Sequence, residues 1–345
     1  MTKNKVRLQP EARLDVLVRL GRRLTEDNPA LQLAIAKAYR DNKWFVPENS
    51  RQAIEAIRRQ FLDADKLNRW AAQYPLSPAS PRNVGLIPAG NIPLVGFHDL
   101  LAVFVSGHTA LVKLSEKDKA LMEFIIHQLY GLEPAVEAHI RIVDKLKGFD
   151  AVIATGSNNS SRYFEAYFGH YPHIIRRNRN AVAILTGDET GDELIALGKD
   201  IFSYFGLGCR NVSKIFVPKG YDFEPLLQAL HHYRDIVLHD KYKNNLDYAF
   251  ALYILNKEYY MNNGCIILHE ADSIASRIGT LHYAFYEEFM ALERHLEAHA
   301  DQIQCIVARP SGKGRQWVPF GKSQEPALDD YADGVDTMQF LSTLT

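Results

Sequence analysis

The chain has 345 residues, 47% of them hydrophobic and 23% charged, and 40 basic against 41 acidic residues leave a formal net charge of −1. That length accommodates two ordinary domains with sizeable cores, and the even charge excludes a general nucleic-acid binder, which needs a basic excess on at least one face. Three widely spaced cysteines, Cys209, Cys265 and Cys305, show no C-x-x-C spacing, which excludes a disulfide framework and a zinc finger and sets the expectation of a reducing compartment.

The first residues, MTKNKVRLQPEARL, contain no apolar run of signal-peptide length. The most apolar stretch, Ile92–Gly107, is interrupted by His98 and Asp99 and is too short for a membrane span. A cytoplasmic protein without a membrane span is therefore expected. Residues 10–40 and 50–73 carry apolar side chains at helical spacing (Leu14, Leu17, Leu20 and Leu24, then Ile54, Ile57 and Phe61) and read as helical. In YPLSPASPRN, Pro75, Pro78 and Pro81 discourage any helix, so a helical N-terminal region ends near residue 80.

From residue 83 short apolar runs alternate with amphipathic segments. VGLIPAG, ALVKLS, HIRIVD, DAVIATGS, AVAILTG and SKIFVP read as strands, and residues 92–106, 116–130, 159–168 and 189–205 as helices between them. Such alternation points to βαβ units and mainly parallel sheets, whose ligands sit at the carboxyl ends of strands. Further on, LDYAFALYIL and CIILHE read as strands, residues 277–299 as a helix, and a short helix closes the chain. Three segments are expected: 1–80 helical, 81–180 a first α/β lobe, and 181–345 a second α/β lobe.

Four places stand out chemically. In FSYFGLGCRNVSKIFVP, Gly206 and Gly208 allow a tight turn around Cys209, and Arg210 would favour the thiolate, the reactive form. A buried structural cysteine is the competing account, and it prevails for Cys265 and Cys305, which lie inside apolar strand-like runs. In VGLIPAGNIPLVGF a strand ends in a turn followed by Asn91, whose amide could donate to an oxyanion or simply cap a turn. In ALVKLSEKD, Lys113 ends a strand and could reach a ribose or phosphate, or be merely solvated; Ser115 and Asp118 have the spacing of a helix cap. In DAVIATGSNN, Gly156 and Ser157 precede a helix whose N–H groups could meet a pyrophosphate. No G-x-G-x-x-G occurs. Arg176, Arg177 and Arg179 could bind phosphates or line a solvated edge. His231, His232 and His239 lack a ligand spacing, and no metal is expected. The glycine loop at 311–321 reads as a closing loop or a connector.

The order of these segments resembles the aldehyde dehydrogenase superfamily. More specifically, IPAGNIPLVGFHDLLAVFVSGHTALVKLSEKD, YFGLGCRNVSK and PFGKSQEPALDDYADGVD are similar to the LuxC-type fatty acyl-CoA reductase branch, over roughly residues 80–340. The resemblance implies an aldehyde-dehydrogenase-like α/β fold, with the 81–180 lobe binding the nicotinamide dinucleotide and the 181–345 lobe carrying the nucleophile. It implies that Cys209 is this nucleophile and that Asn91, with a backbone N–H, forms the oxyanion hole. Lys113, Ser115 and Glu116 then match the loop that holds the adenosine ribose, and Gly156 and Ser157 the turn near the cofactor pyrophosphate.

One departure matters. Oxidising members carry a Glu-Leu-Gly-Gly segment upstream of the cysteine, whose glutamate activates water; here RRNRNAVAIL takes its place, with Arg176 and Arg177 where the glutamate is expected. The implied activity is NADPH-dependent reduction of a long-chain acyl-CoA to a fatty aldehyde through an acyl-cysteine. NADH is the alternative cofactor, because Glu116 disfavours a 2′-phosphate. Two alternatives remain open: reduction of another activated acyl group such as an acyl phosphate, and a non-catalytic acyl-binding scaffold. A homo-oligomer is expected by analogy.

Overall fold

The computed structural model describes residues 7–309 and 317–344. The chain forms two compact units: the first holds residues up to Asn178 together with the segment from Ala327 onward, and the second runs Arg179–Pro326.

The N-terminal part of the first unit resolves into four helices, α1 (Pro10–Arg23), α2 (Pro29–Asp41), α3 (Pro47–Gln60) and α4 (Ala64–Ala71). The first three begin on proline, whose missing N–H would be unbonded in a first helical turn anyway and whose φ is already helical. Asn28 Oδ1 accepts the Ala30 and Leu31 N–H groups at 3.0 and 3.3 Å, and Asp63 accepts that of Lys66 at 3.0 Å, so α2 and α4 start on side-chain caps.

A βα alternation follows: β1 (Asn83–Ile87), α5 (Phe97–Ser106), β2 (Thr109–Val112), α6 (Lys119–Leu132), β3 (Ile140–Ile142), β4 (Ala151–Thr155), α7 (Asn158–Phe168) and β5 (His173–Arg176). The strands form a parallel sheet in the order β3-β2-β1-β4-β5. From β1 the chain builds outward through β2 and β3, then returns to the other side of β1 with β4 and β5. The order therefore reverses between β1 and β4, which opens a crevice at their carboxyl ends. Central strands covered on both faces read as unbroken apolar runs, and β2 is buried throughout. Helix α5 is buried around nearly its whole circumference, with Leu100, Leu101, Val103, Phe104 and Val105 at most 1% exposed. Leu17, Leu20 and Trp70 of the N-terminal helices share one core with Val84, Phe104 and Ile126.

The second unit contains β6 (Asn180–Ile184), α8 (Gly191–Phe202), β7 (Val212–Pro218), α9 (Glu224–Leu230), α10 (Asp240–Asn256), β8 (Met261–Asn262), β9 (Ile267–Glu270), β10 (Thr280–Tyr286), α11 (Phe289–Ala298) and β11 (Ile303–Val307). Its sheet runs β11-β6-β7-β10-β9-β8, parallel except for the β8–β9 pair. Two expectations are corrected here. LDYAFALYIL is helical, not a strand: Tyr242, Leu246, Ala249 and Tyr253 of α10 are buried at helical spacing, and that burial overrides the β preference of the aromatic and branched residues. Residues 277–299 are not one helix; Thr280–Tyr286 is a central strand between β7 and β9, and only then does α11 begin. No glycine or proline interrupts 280–299, so the local sequence carries no punctuation where the strand ends.

The last helix, α12 (Thr337–Ser342), belongs to the first unit. The segment leading to it is held by long-range bonds. Trp70 Nε1 donates to Tyr331 Oη at 2.8 Å, Tyr331 donates to Tyr74 Oη at 2.9 Å, and Tyr74 donates to Asp336 Oδ2 at 2.8 Å. His108 Nε2 lies 3.0 Å from the Leu341 carbonyl. Among the described residues no helix is long and apolar enough to cross a membrane.

Candidate active site

In the first unit, the expected site residues gather on loops leaving the carboxyl ends of the strands. Asn91 lies in the loop between β1 and α5. Lys113, Ser115 and Glu116 follow β2, with Lys113 and Glu116 exposed and Ser115 partly buried. Gly156 and Ser157 follow β4. Since β1 and β4 flank the reversal of strand order, the Asn91 loop and the Gly156–Ser157 turn border the crevice.

Two contacts bind the Asn91 loop to the loop after β2. Gly90 packs so closely that a Cβ there would lie 2.3 Å from Ser115 Oγ and 3.0 Å from both Ser115 Cβ and Lys117 Cβ; only glycine permits this approach. Asp118 Oδ2 accepts the Leu94 N–H at 2.7 Å, holding Leu94 at φ 58°, a left-handed conformation rare for a residue of this kind. The Asp118 carboxyl is buried, and burial pushes its pKa well above the usual carboxylate range. This corrects the expected Ser115–Asp118 helix cap. Neither side chain caps a helix, because Asp118 points back to Leu94 instead.

Ser157 is the N-cap of α7, its Oγ accepting the Ser160 N–H at 3.3 Å. The Gly156 N–H donates to the Arg176 carbonyl at 3.3 Å and so continues the β4–β5 ladder. Arg176 is neither a solvated edge residue nor exposed to a ligand. It is 3% exposed, ion-paired with Asp99 of α5 and donating to Thr337 Oγ1 at 2.9 Å. Arg177 is exposed and lies 3.6 Å from Glu165. Arg179 donates to the carbonyls of Ala300 and Ile303 at 3.1 and 3.4 Å.

In the second unit, Cys209 is partly exposed in the loop between α8 and β7. It therefore stands at the amino end of its strand, where the rule for carboxyl-end ligand sites does not look. The approach to it is strained: Tyr204 and Phe205, both buried, have φ of 52° and 59°, and Gly206 follows at 76°. Two consecutive left-handed aromatics cost on the order of 1 kcal/mol each or more, and packing maintains them; the Phe205 ring lies 4.3 Å from that of His239. Arg210 is 9% exposed. Cys265 is fully buried within reach of the Leu230 carbonyl, and burial pushes its thiol up to about 11, which fits its expected structural role. Cys305 lies on β11.

Sequence reading passed over Asn211. It is 1% exposed; its Oδ1 accepts the Gly208 N–H at 2.7 Å, and its Nδ2 lies 3.0, 3.3 and 2.8 Å from the carbonyls of Asp200, Ile201 and Ser203. An asparagine just before a strand signals a turn at most, so the fan of contacts had no local signature. Residues 311–316 of the expected glycine loop lie outside the described residues, whereas Gly321 is described and bonded to Asp200. A groove of about 680 Å³ in the second unit, lined by Tyr221, Phe223, Leu227, His231 and Met261, holds none of the expected site residues.

Neither a family model nor a curated protein sequence matches the chain. Solved structures do. Aldehyde dehydrogenase 21 from Physcomitrella patens, in complex with the reaction product succinate, superposes with a TM-score of 0.69 at 10% identity, covering 97% of this chain and 84% of that one. An NAD-dependent aldehyde dehydrogenase from Sinorhizobium meliloti gives 0.65 at 10% identity over 92% and 72%. The NAD+ complex of an aldehyde dehydrogenase from Bacillus cereus gives 0.61 at 13% over 87% and 72%. The chain thus has the aldehyde-dehydrogenase fold, as the sequence resemblance implied; at these identities the likeness carries the fold alone.

Proposed function

We propose that this protein is a nicotinamide-dependent oxidoreductase that reduces an activated acyl group, a long-chain acyl-CoA, to the aldehyde through a thioester on Cys209. The observation that supports reduction over oxidation is Arg176. By the resemblance, Arg176 and Arg177 stand where an oxidising member would carry its water-activating glutamate, and Arg176 is held in a buried pair with Asp99. A site without that base deacylates slowly by water and leaves the acyl group for reduction.

A dinucleotide fits the first unit. The crevice beside β1 and β4, the exposed Lys113 and Glu116 on the loop after β2, and the start of α7 just after Gly156–Ser157 support this reading, although the Gly156 N–H is already bonded to the Arg176 carbonyl. Lys113, Ser115 and Glu116 would hold its adenosine ribose. When bound, the reduced nicotinamide supplies a hydride. Cys209, as thiolate, attacks the thioester carbonyl and forms a C–S bond. The resemblance assigns the Asn91 amide, with a backbone N–H, to stabilising the oxyanion. The bond to CoA then breaks, and CoA leaves as its thiol after taking up a proton. Addition of hydride and one proton to the acyl-cysteine carbonyl would give a thiohemiacetal, whose C–S bond then breaks as its hydroxyl proton passes to sulfur, releasing the aldehyde and the Cys209 thiol.

NADPH is the preferred cofactor in this reading, and Glu116 keeps NADH within reach; comparing kcat/KM for the two decides it. The central test is NADPH oxidation across acyl-CoA chain lengths, with Cys209→Ala as control. The variant should lose both turnover and the acyl adduct seen by mass spectrometry. Turnover retained by Cys209→Ala would sink the mechanism. Activity on acyl phosphate but not acyl-CoA would move the substrate, and no adduct at all on wild-type Cys209 would favour an acyl-binding scaffold.

A further inference from the structure

The loop that carries Cys209 is fastened by side chains with no other evident task. Asn211 closes the Gly208–Asn211 turn in both directions: its Oδ1 accepts the Gly208 N–H at 2.7 Å and its own N–H donates to the Gly208 carbonyl at 3.1 Å. Its Nδ2 faces the carbonyls of Asp200, Ile201 and Ser203 at 2.8–3.3 Å. These belong to the carbonyl end of α8, where a helix lacks internal partners. Two amide hydrogens shared among three carbonyls fix the plane of this side chain.

A second clamp works on the same helix end. The Asp200 carboxylate, fully buried, accepts the backbone N–H groups of Gly321 and Ser323 at 2.6 and 2.9 Å. Glu325, at the end of that strap, reaches Lys199 at 3.2 Å and Lys322 at 3.0 Å. The last turn of α8 is thus held from one side by the 321–325 strap and from the other by the turn bearing Cys209.

We propose that Asn211 and Asp200 are positioning residues for Cys209, Asn211 clamping the cysteine turn to the carbonyl end of α8 and Asp200 clamping that helix end to the 321–323 strap. The proposal rests on the reading of Cys209 as nucleophile. It deepens that reading by naming what holds the sulfur on its line of attack. Attack on a carbonyl is sensitive to placement: an error of about 1 Å costs on the order of a hundredfold. The Gly208 N–H and the α8 carbonyls are backbone groups from two segments, and the Asn211 amide is a side chain that joins them.

The test uses the full chain with dodecanoyl-CoA and NADPH, comparing wild type, Asn211→Ala and Asp200→Asn. Asp200→Asn retains one oxygen acceptor and is the gentler variant. In variants that still melt cooperatively, kcat and the rate of acyl-adduct formation on Cys209 should fall by about ten- to a hundredfold, while KM for the acyl-CoA holds. The pH midpoint of Cys209 alkylation by iodoacetamide should move as well, with Cys305 as the internal reference. The double variant should be no slower than the worse single one, because the clamps act in series on one helix end. Adduct formation at the wild-type rate with an unchanged alkylation midpoint in folded variants would overturn the proposal. Loss of folding in both variants would also overturn it, by making the pair a stability element. Absence of an adduct in wild type would instead remove the nucleophile reading itself.

Discussion

Asp99→Ala tests the assignment of Arg176 to the framework. The substitution takes from the Arg176 guanidinium, whose side chain is 4% exposed, the Asp99 carboxylate it is paired with. Breaking a buried pair from one side costs about 3–5 kcal/mol, because the remaining charge stays desolvated. For a unit of this size each kcal/mol lowers the melting temperature by about 2–4 °C, so the first unit should melt roughly 6–20 °C lower. Circular dichroism melts and urea midpoints read this directly. Replacing both partners by apolar residues, Asp99→Leu with Arg176→Met, should recover much of the loss, since no charge is then buried. That double variant should also bind the dinucleotide as wild type does. Melting of Asp99→Ala within a degree or two of wild type, or weakened dinucleotide binding in the folded double variant, would refute the framework role and return Arg176 to the phosphate-binding candidates.

Two further outcomes are expected in the first unit. Gly90→Ala places a Cβ 2.3 Å from Ser115 Oγ and 3.0 Å from Lys117 Cβ; it should cost about 1–3 kcal/mol by overpacking and, by pushing the loop after β2 aside, raise KM for the dinucleotide more than it lowers kcat. An unchanged dinucleotide KM would separate that loop from cofactor binding. Asp118 gives a pH signature: burial holds its folded-state pKa well above the unfolded value near 3.9, so the folded chain keeps the proton longer. Stability is then full below the unfolded pKa and declines as pH rises towards the folded one. Asp118→Asn keeps an acceptor for the Leu94 N–H and has no charge to bury. Its urea midpoint should match wild type near pH 3.5 and exceed it increasingly towards neutral pH; parallel midpoints across that range would contradict the assignment.

Much of this protein is legible in its sequence because the signals are local. Strand runs such as VGLIP and DAVIATG, with amphipathic segments between them, report a parallel sheet covered on both faces. The Pro-led helices announce their own starts. Cys209 and Asn91 stand out because glycines and turns mark their loops. What required the tertiary structure depends on partners far away along the chain. Asp99 and Arg176 are 77 residues apart, and Arg176 and Thr337 are 161 apart; nothing near RRNRN reveals that its first arginine is buried. LDYAFALYIL has the composition of a strand, and only the burial of one helical stripe makes it α10. The segment from Ala327 lies next to second-unit residues in sequence yet folds into the first unit, held there by Trp70, Tyr74 and His108. The glycine-marked turn that carries Cys209 could be found by reading along the chain. The hydrogen bonds of Asn211 and Asp200 at the end of α8 could not, because they join a turn, a helix end and a strap that sequence distance keeps apart and packing brings together.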